Sequence, residues 1–207
     1  MTKALTPTNK KQRIIQAASS VFCRKGFAAA RMVEVAVEAG IGKGTIYEYF
    51  TSKEDLFFAV FQWFSIRTSD TVKVDILALQ GSAAKRLRVM NDSVMRMWAA
   101  EMDNFALMME FWSASASSNL RRRFKEAFKS LYARFTALVS GLIREGIAAG
   151  EFRADADPDA VAAALVGTWD ALLLQKWFES VADPQAYSRA FLKIILDGLR
   201  KTPEQDQ

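Results

Sequence analysis

Apolar positions in this 207-residue chain recur every three or four residues and show no regular alternation with polar ones, a pattern that predicts helices and no sheet. The sharpest change of phase lies between Glu38 and Lys53. Met32, Val35, Ala36 and Ala39 share one helical face up to Gly40, which can take the positive φ that ends a helix. After Ile41 and Gly42 the pattern restarts, with Ile46 and Phe50 four residues apart while Lys43, Thr45, Tyr47 and Glu48 point elsewhere. Two short helices joined by a glycine-containing turn make a helix-turn-helix, whose second helix offers its first side chains to the DNA major groove.

Upstream, residues 1–8 read as an arm, and a helix capped by Thr8 or Asn9 carries Ile14, Ala17, Ala18, Val21 and Phe22 to a stop near Gly26. Thr51 and Ser52 each precede an acid by three residues (Glu54, Asp55), a capping-box signal for a longer helix through Leu56, Val60, Trp63, Phe64 and Arg67. Further helices are predicted over 82–100, through F-A-L-M-M-E-F-W at 105–112, and from Asn119 through Phe124, Phe128, Leu131, Phe135, Leu138 and Leu142. A break is expected at 101–104, and the Ser-rich run S-A-S-A-S-S at 113–118 reads as weakly structured. Asp157-Pro158 and Asp183-Pro184 each set an N-cap before a proline and announce the last two helices. The expected fold is all-α, with a three-helix domain over residues 1–55 and a larger helical domain over 56–207.

The outward residues of the motif suit nucleic acid. Lys43 can reach a guanine acceptor or a phosphate, Thr45 can donate to a phosphate or touch a thymine methyl, and Gly44 has no side chain to hold the backbone away. Tyr47 and Tyr49 carry hydroxyls that fit phosphate oxygens, and Lys53 brings a charge to the start of the next helix. Singly, each reads as ordinary surface; in combination they point to DNA.

The run A-G-I-G-K-G-T-I-Y-E-Y-F-T-S-K-E-D-L, residues 39–56, resembles the DNA-binding signature of the TetR/AcrR-type transcriptional regulators. The resemblance implies that Lys43, Gly44, Thr45, Tyr47, Tyr49 and Lys53 approach DNA while Ile46 and Phe50 hold the short helix on its core. That family usually opens the first helix of the pair on Thr or Ser; this chain reads A-A-A-R-M instead, which makes Arg31 the candidate for that phosphate contact. Also implied are about nine helices, a large domain that binds a small molecule, and a symmetric homodimer packed through the last two helices, with Leu165, Thr168, Leu172, Gln175, Phe191 and Ile195 at the interface.

Trp and Met crowd the middle of the chain. Any one of them is as readily ordinary core, but together with the resemblance Trp63, Trp98, Met102, Phe105, Met109, Trp112 and Trp169 become candidates for an adaptable apolar ligand site. Glu101, Asp103, Glu110 and Asp170 can lend such a site negative charge, although surface or capping roles come first. The function implied is a ligand-responsive, sequence-specific transcriptional regulator of double-stranded DNA, a repressor released from a palindromic operator by a small, largely apolar or aromatic effector. A ligand-independent DNA-binding protein of the same fold is the alternative.

Composition narrows the field further. The net charge of +5 is concentrated near the motif, where residues 1–55 hold nine Lys and Arg against five acids. There is no His and one Cys, Cys23, so His-dependent triads, imidazole metal sites and disulfide frameworks are excluded, and no cofactor or metal is expected. No enzyme is expected, since no nucleophile stands with a base. No stretch approaches the roughly twenty apolar residues that span a membrane, and a cytoplasmic protein is expected.

Overall fold

The computed structural model describes residues 7–77, 80–117 and 119–200, with side chains withheld at 7–9, 68–77 and 117. The described residues form nine α-helices: α1 (Pro7–Ala29), α2 (Met32–Glu38), α3 (Lys43–Tyr49), α4 (Lys53–Leu77), α5 (Ala83–Ala100), α6 (Phe105–Ser117), α7 (Arg121–Ala148), α8 (Pro158–Trp177) and α9 (Pro184–Leu199). The only strand-like pairing among them is one bridge between Phe152 and Arg200. No helix among the described residues is long and apolar enough to cross a membrane.

The punctuation read from the sequence sets most of these boundaries. Gly40, at φ 62, follows α2, and the Ser52 hydroxyl accepts from the Asp55 amide at 3.0 Å to open α4. The Asp157 carboxylate takes the amides of Asp159 (3.0 Å) and Ala160 (3.1 Å), and that of Asp183 takes the Ala186 amide at 3.0 Å. Pro7 already opens α1, within the stretch read as an arm; residues 1–6 of that stretch lie outside the described residues. The Ser-rich run is also helical as far as Ser117. Ser115 returns its hydroxyl to the Trp112 carbonyl at 2.7 Å, and the apolar residues before it are buried, so packing overrides the weak propensity of serine.

By packing, the chain divides into two compact units. The first runs to Arg67 and adds Asp103–Phe128; the second is Thr68–Met102 with the chain from Lys129 onward. Leu56, Phe57, Val60 and Phe61 tie the start of α4 to the first unit. All four are buried, and the Phe57 ring lies 5.4 Å from Phe22, 4.3 Å from Phe27, 4.8 Å from Phe111 and 5.6 Å from Phe124. The start of α4 therefore belongs to the same core as α1, α6 and the first turns of α7.

The second unit is built from the end of α4, α5, the rest of α7, α8 and α9. Asn91 of α5, fully buried, accepts from Trp169 Nε1 of α8 at 2.8 Å and from Ser188 Oγ of α9 at 2.6 Å. The Glu151 carboxylate takes the first two amides of α5, from Ala83 (2.7 Å) and Ala84 (3.0 Å). Beside it the Phe152 ring lies so close to Gly146 that a Cβ there would stand 2.3 Å from the ring.

Candidate nucleic-acid interface

The helix-turn-helix rests on a small apolar core. Ile14, Ala18 and Val21 of α1, Val35, Ala36 and Ala39 at α2, and Ile46 and Phe50 at α3 are all buried. The turn is closed by backbone bonds, Gly40 N–H to Val37 O at 3.0 Å and Ile41 N–H to Ala36 O at 3.0 Å. Arg13 adds a link that periodicity did not suggest: its Nη2 donates to the Ala39 carbonyl at 2.7 Å, fixing α1 to the last turn of α2.

With Ile46 turned inward, α3 presents Lys43, Gly44, Tyr47 and Glu48 to solvent, flanked by the half-buried Thr45 and Tyr49. Tyr47 is 46% exposed. Gly44 has no positive φ and no atom within 4 Å of the place its Cβ would take. Nothing inside the protein calls for glycine at this position.

Arg31 is the N-cap of α2 but makes no capping bond with its side chain. The carboxylate of Glu34 does that work instead, accepting from the Arg31 amide at 3.1 Å while ion-paired to Lys25 at 2.7 Å. The Lys25 ammonium and the Arg31 amide hold the Glu34 carboxyl below its ordinary value. The signal was legible as an acid three residues after the cap position. With Glu34 as the cap, the Arg31 side chain is exposed and makes no capping bond, and its charge acts on the Glu34 carboxylate.

Lys53 has a role in the free chain that the motif did not suggest. Its ammonium donates to the carbonyls of Phe27 (2.7 Å), Ala28 (3.0 Å) and Ala30 (3.1 Å) and stands 4.5 Å over the Phe27 ring. All three of its donors are used inside the protein, because the end of α1 offers carbonyls that no helix continues to satisfy. In the free chain Lys53 thus clamps the end of α1. The basic count of the N-terminal residues shrinks accordingly: Arg13 is on Ala39, Arg24 pairs with Glu38 at 2.8 Å, Lys25 with Glu34, and Lys11 lies over Phe50 at 5.7 Å. The cations left to face outward are chiefly Lys10, Arg31 and Lys43.

The expected ligand residues are distributed over both units. In the first, Phe105 is buried at 3% exposure and Trp63, Met109 and Trp112 are half-buried, with the Arg67 guanidinium 4.6 Å over the Trp63 ring. In the second, Trp98 and Met102 are half-buried, while Trp169 is core, 2% exposed, with its indole N–H committed to Asn91. A cavity of about 240 Å³ in the first unit is lined by Phe27, Glu54, Phe57, Glu110 and Leu120 among others, and by none of the seven. Of the four acids, Glu110 takes the Phe27 amide at 2.8 Å, a bond the sequence pattern did not reveal, and Asp170 accepts from the Tyr132 hydroxyl at 2.6 Å.

The expected dimer residues also divide. Leu165 and Leu172 are 1% and 7% exposed within a single protomer, so they have almost no surface to offer a partner. Their side chains follow the α8 face that covers its own core. Gln175 is exposed and Thr168, Phe191 and Ile195 are half-buried.

A three-helix head that presents a short, solvent-facing helix on an otherwise helical chain is the DNA-reading part of a helix-turn-helix transcriptional regulator. Residues 14–60 match the bacterial regulatory proteins of the tetR family, and residues 111–192 match the tetracyclin repressor-like C-terminal domain. The chain belongs to the TetR family, whose members regulate transcription and are not enzymes. It is 24% identical over 192 residues to the fatty acid metabolism regulator protein of Bacillus subtilis (strain 168), covering 92% of this chain and 95% of that one. Two solved structures share its fold. A TetR transcription regulator from Haloarcula marismortui matches with a TM-score of 0.82 at 18% identity, over 94% of this chain and 100% of that one. A regulator FadR from Bacillus subtilis, solved in complex with stearoyl-CoA, matches with 0.71 at 22%, over 91% and 99%.

Proposed function

We propose that the chain is a homodimeric, effector-responsive repressor that acts in the cytoplasm and reads a palindromic operator with Arg31, Lys43, Gly44, Thr45, Tyr47 and Tyr49. The observation that carries this reading is Gly44. Glycine is a poorer helix former than alanine, and at Gly44, in the first turn of α3, neither backbone angle nor neighbouring atom requires it. The open space above it, which Gly141, Gly167 and Gly198 share elsewhere, lies here on the exposed face of α3, where a DNA backbone could approach closely.

Two-fold pairing is supported by the surface of α8 and α9. Ala164, Ala171 and Gln175 are exposed along α8, and Tyr187 (60%) and Ile194 (69%) along α9, where a monomer would leave apolar area in water. Thr168, Phe191 and Ile195 adjoin them. A dimer sets two α3 helices on half-sites about one DNA turn apart, and an effector that prefers another arrangement weakens DNA binding by the same factor that DNA weakens effector binding. The half-buried Trp63, Met109 and Trp112 are the side chains assigned to a largely apolar effector. FadR holds stearoyl-CoA, so acyl thioesters are the first class to try.

The test is selection of bound duplexes from a random pool, followed by titration of the winner with the parent and with Gly44→Ala. A palindromic site is expected. Gly44→Ala should gain stability, by under about 1 kcal/mol, and lose DNA affinity. A gain in stability with unchanged affinity would remove α3 from the interface. Competition by acyl thioesters on the same duplex then tests the effector.

A further inference from the structure

In the second unit α5 and α9 lie side by side, and charge gathers where they meet. A cavity of about 170 Å³ there is lined by Arg88, Asn91 and Asp92 of α5 and by Arg189, Leu192 and Lys193 of α9. Positions 88, 91 and 92 share one face of α5, as 189, 192 and 193 share one face of α9, so helical spacing brings these six groups together. The lining holds three cations and one carboxylate. Asp92 is already matched by a bidentate pair from Arg189, Nε to Oδ1 at 2.7 Å and Nη2 to Oδ2 at 3.2 Å. Lys193 donates to Asp197 at 2.7 Å, and the charge of Arg88 acts on the same carboxylate. Outside the lining Asp197 and Asp183 add two acids and Arg200 one cation, so an excess of positive charge remains.

Asn91 adds a second, independent feature. Its side chain is 0% exposed, its Oδ1 accepts from Trp169 Nε1 and Ser188 Oγ, and its Nδ2 has no hydrogen-bond partner among the described residues. The indole can only donate, so the amide cannot exchange its two arms, and a buried N–H without an acceptor is costly. We propose that the cavity between α5 and α9 is a binding site for a small oxyanion, a carboxylate or a phosphate group, which accepts from Asn91 Nδ2 while Arg88, Arg189 and Lys193 balance its charge. The amide calls for an acceptor, and the cations call for a negative one. Arg189 uses two of its five N–H donors on Asp92 and Lys193 one of its three on Asp197, so both keep donors for an anion. The volume is several times the roughly 30 Å³ share of one liquid water, which suits an oxyanion. One water would meet Nδ2 but would not draw three cations to the rim. Tyr187 and Ile194, offered for pairing, lie on another side of α9 by helical spacing, and all six lining residues belong to the second unit, so the site depends on neither the dimer nor the DNA-binding reading. An occupant joins α5 to α9 beside the bond from Ser188 to Asn91 and tightens their register.

The experiment titrates the full chain with sodium phosphate and, separately, with sodium acetate, at an ionic strength held constant with sodium chloride, and follows the side-chain amide signal of Asn91 by nitrogen-15 NMR. Loss of one amide pair in Asn91→Asp assigns that signal, and its Overhauser contact to the Trp169 indole proton assigns it if the variant fails to fold. In the parent the signal should move and saturate. The anion that saturates at the lower concentration identifies the source, a phosphate or a carboxylate. Arg88→Gln combined with Lys193→Gln changes two exposed side chains, should leave the melting temperature in chloride unchanged, and should weaken the preferred anion on the order of tenfold. Phosphate stabilises folded proteins in general by exclusion from their surface, so the rise in melting temperature that supports the site is the part by which the parent exceeds this double variant. A signal that moves without saturating, that moves equally in chloride alone, or that titrates in the double variant as in the parent overturns the site.

Discussion

Phenylalanine rings from α1, α4, α6 and α7 fill the first unit, meeting at 4.3 to 6.3 Å in tilted, stacked and edge-on pairs, whereas the second unit is arranged around the amide of Asn91. The other buried polar side chains divide just as unevenly: Ser65 lies in the first unit, and Ser93, Ser140 and Ser188 in the second. Ring clusters supply large burial with little directional demand. An amide is directional. Indole N–H only donates, so Asn91 must turn its oxygen toward Trp169, and that one orientation registers α5, α8 and α9 against one another. The price of the arrangement is visible in the Asn91 Nδ2, which is buried with no hydrogen-bond partner. The unit that holds the DNA-reading helices thus relies on bulk, and the unit that holds α8 and α9 relies on register.

The largest effect that could break this contrast is expected from Phe57→Ala. It removes one ring from four aromatic neighbours at once, and a loss of about 3–5 kcal/mol in denaturant unfolding should follow. A loss below 1 kcal/mol would mean that the ring cluster is not the first unit's main support. Asn91→Ala comes next, at about 1–3 kcal/mol, because it strands the Trp169 and Ser188 donors. Its signature should be a loss of near-ultraviolet dichroism from tryptophan, a sign of lost register, beyond what the stability change alone produces.

The smallest effect is on pH. Thr51 and Arg123 hold the Asp55 carboxyl below its ordinary 3.8, so the stability it gives the first unit is present above that value and is lost as pH falls through the depressed one. Burial pushes Asp170 of the second unit the other way, against the bond from Tyr132. Its contribution is fullest below 3.8 and fades as pH rises through the raised value. Asp55→Asn should therefore flatten the acid limb of the melting curve and Asp170→Asn should raise the melting temperature near neutrality. The Asp55 effect should stay under about 1 kcal/mol, since Asp55 and Arg123 are 36% and 44% exposed. Parallel responses of the two variants would erase the distinction drawn here.

Much of this architecture is written in local chemistry. Asp-Pro caps, glycine stops and the 39–56 motif are short-range signals, and the elements they mark stand where periodicity puts them. What periodicity reports is a face, not the partner of that face. Leu165 and Leu172 are apolar at helical spacing whether they meet their own core or a second protomer, and only the packed chain distinguishes the two. Phe57 with Phe124, Asn91 with Ser188 and Glu110 with Phe27 join residues far apart in sequence, where no pattern could pair them. Lys53 shows a related limit of pattern reading. A motif position records that a cation is wanted near the end of α1, and the same ammonium that could meet phosphate is here consumed by three carbonyls.

Gly146 and Phe152 carry a consequence for how such a chain can change over evolutionary time. The ring occupies the space any side chain at 146 would need, and the amide of residue 153 is bonded at 2.8 Å to the Leu199 carbonyl at the end of α9. Neither position can drift alone: a larger residue at 146 must wait for a smaller one at 152, and a smaller one at 152 opens a hole. Recombination between relatives would meet the same barrier, so a crossover that keeps the end of α7, the turn after it and the tail of α9 together is the one that yields a folded hybrid.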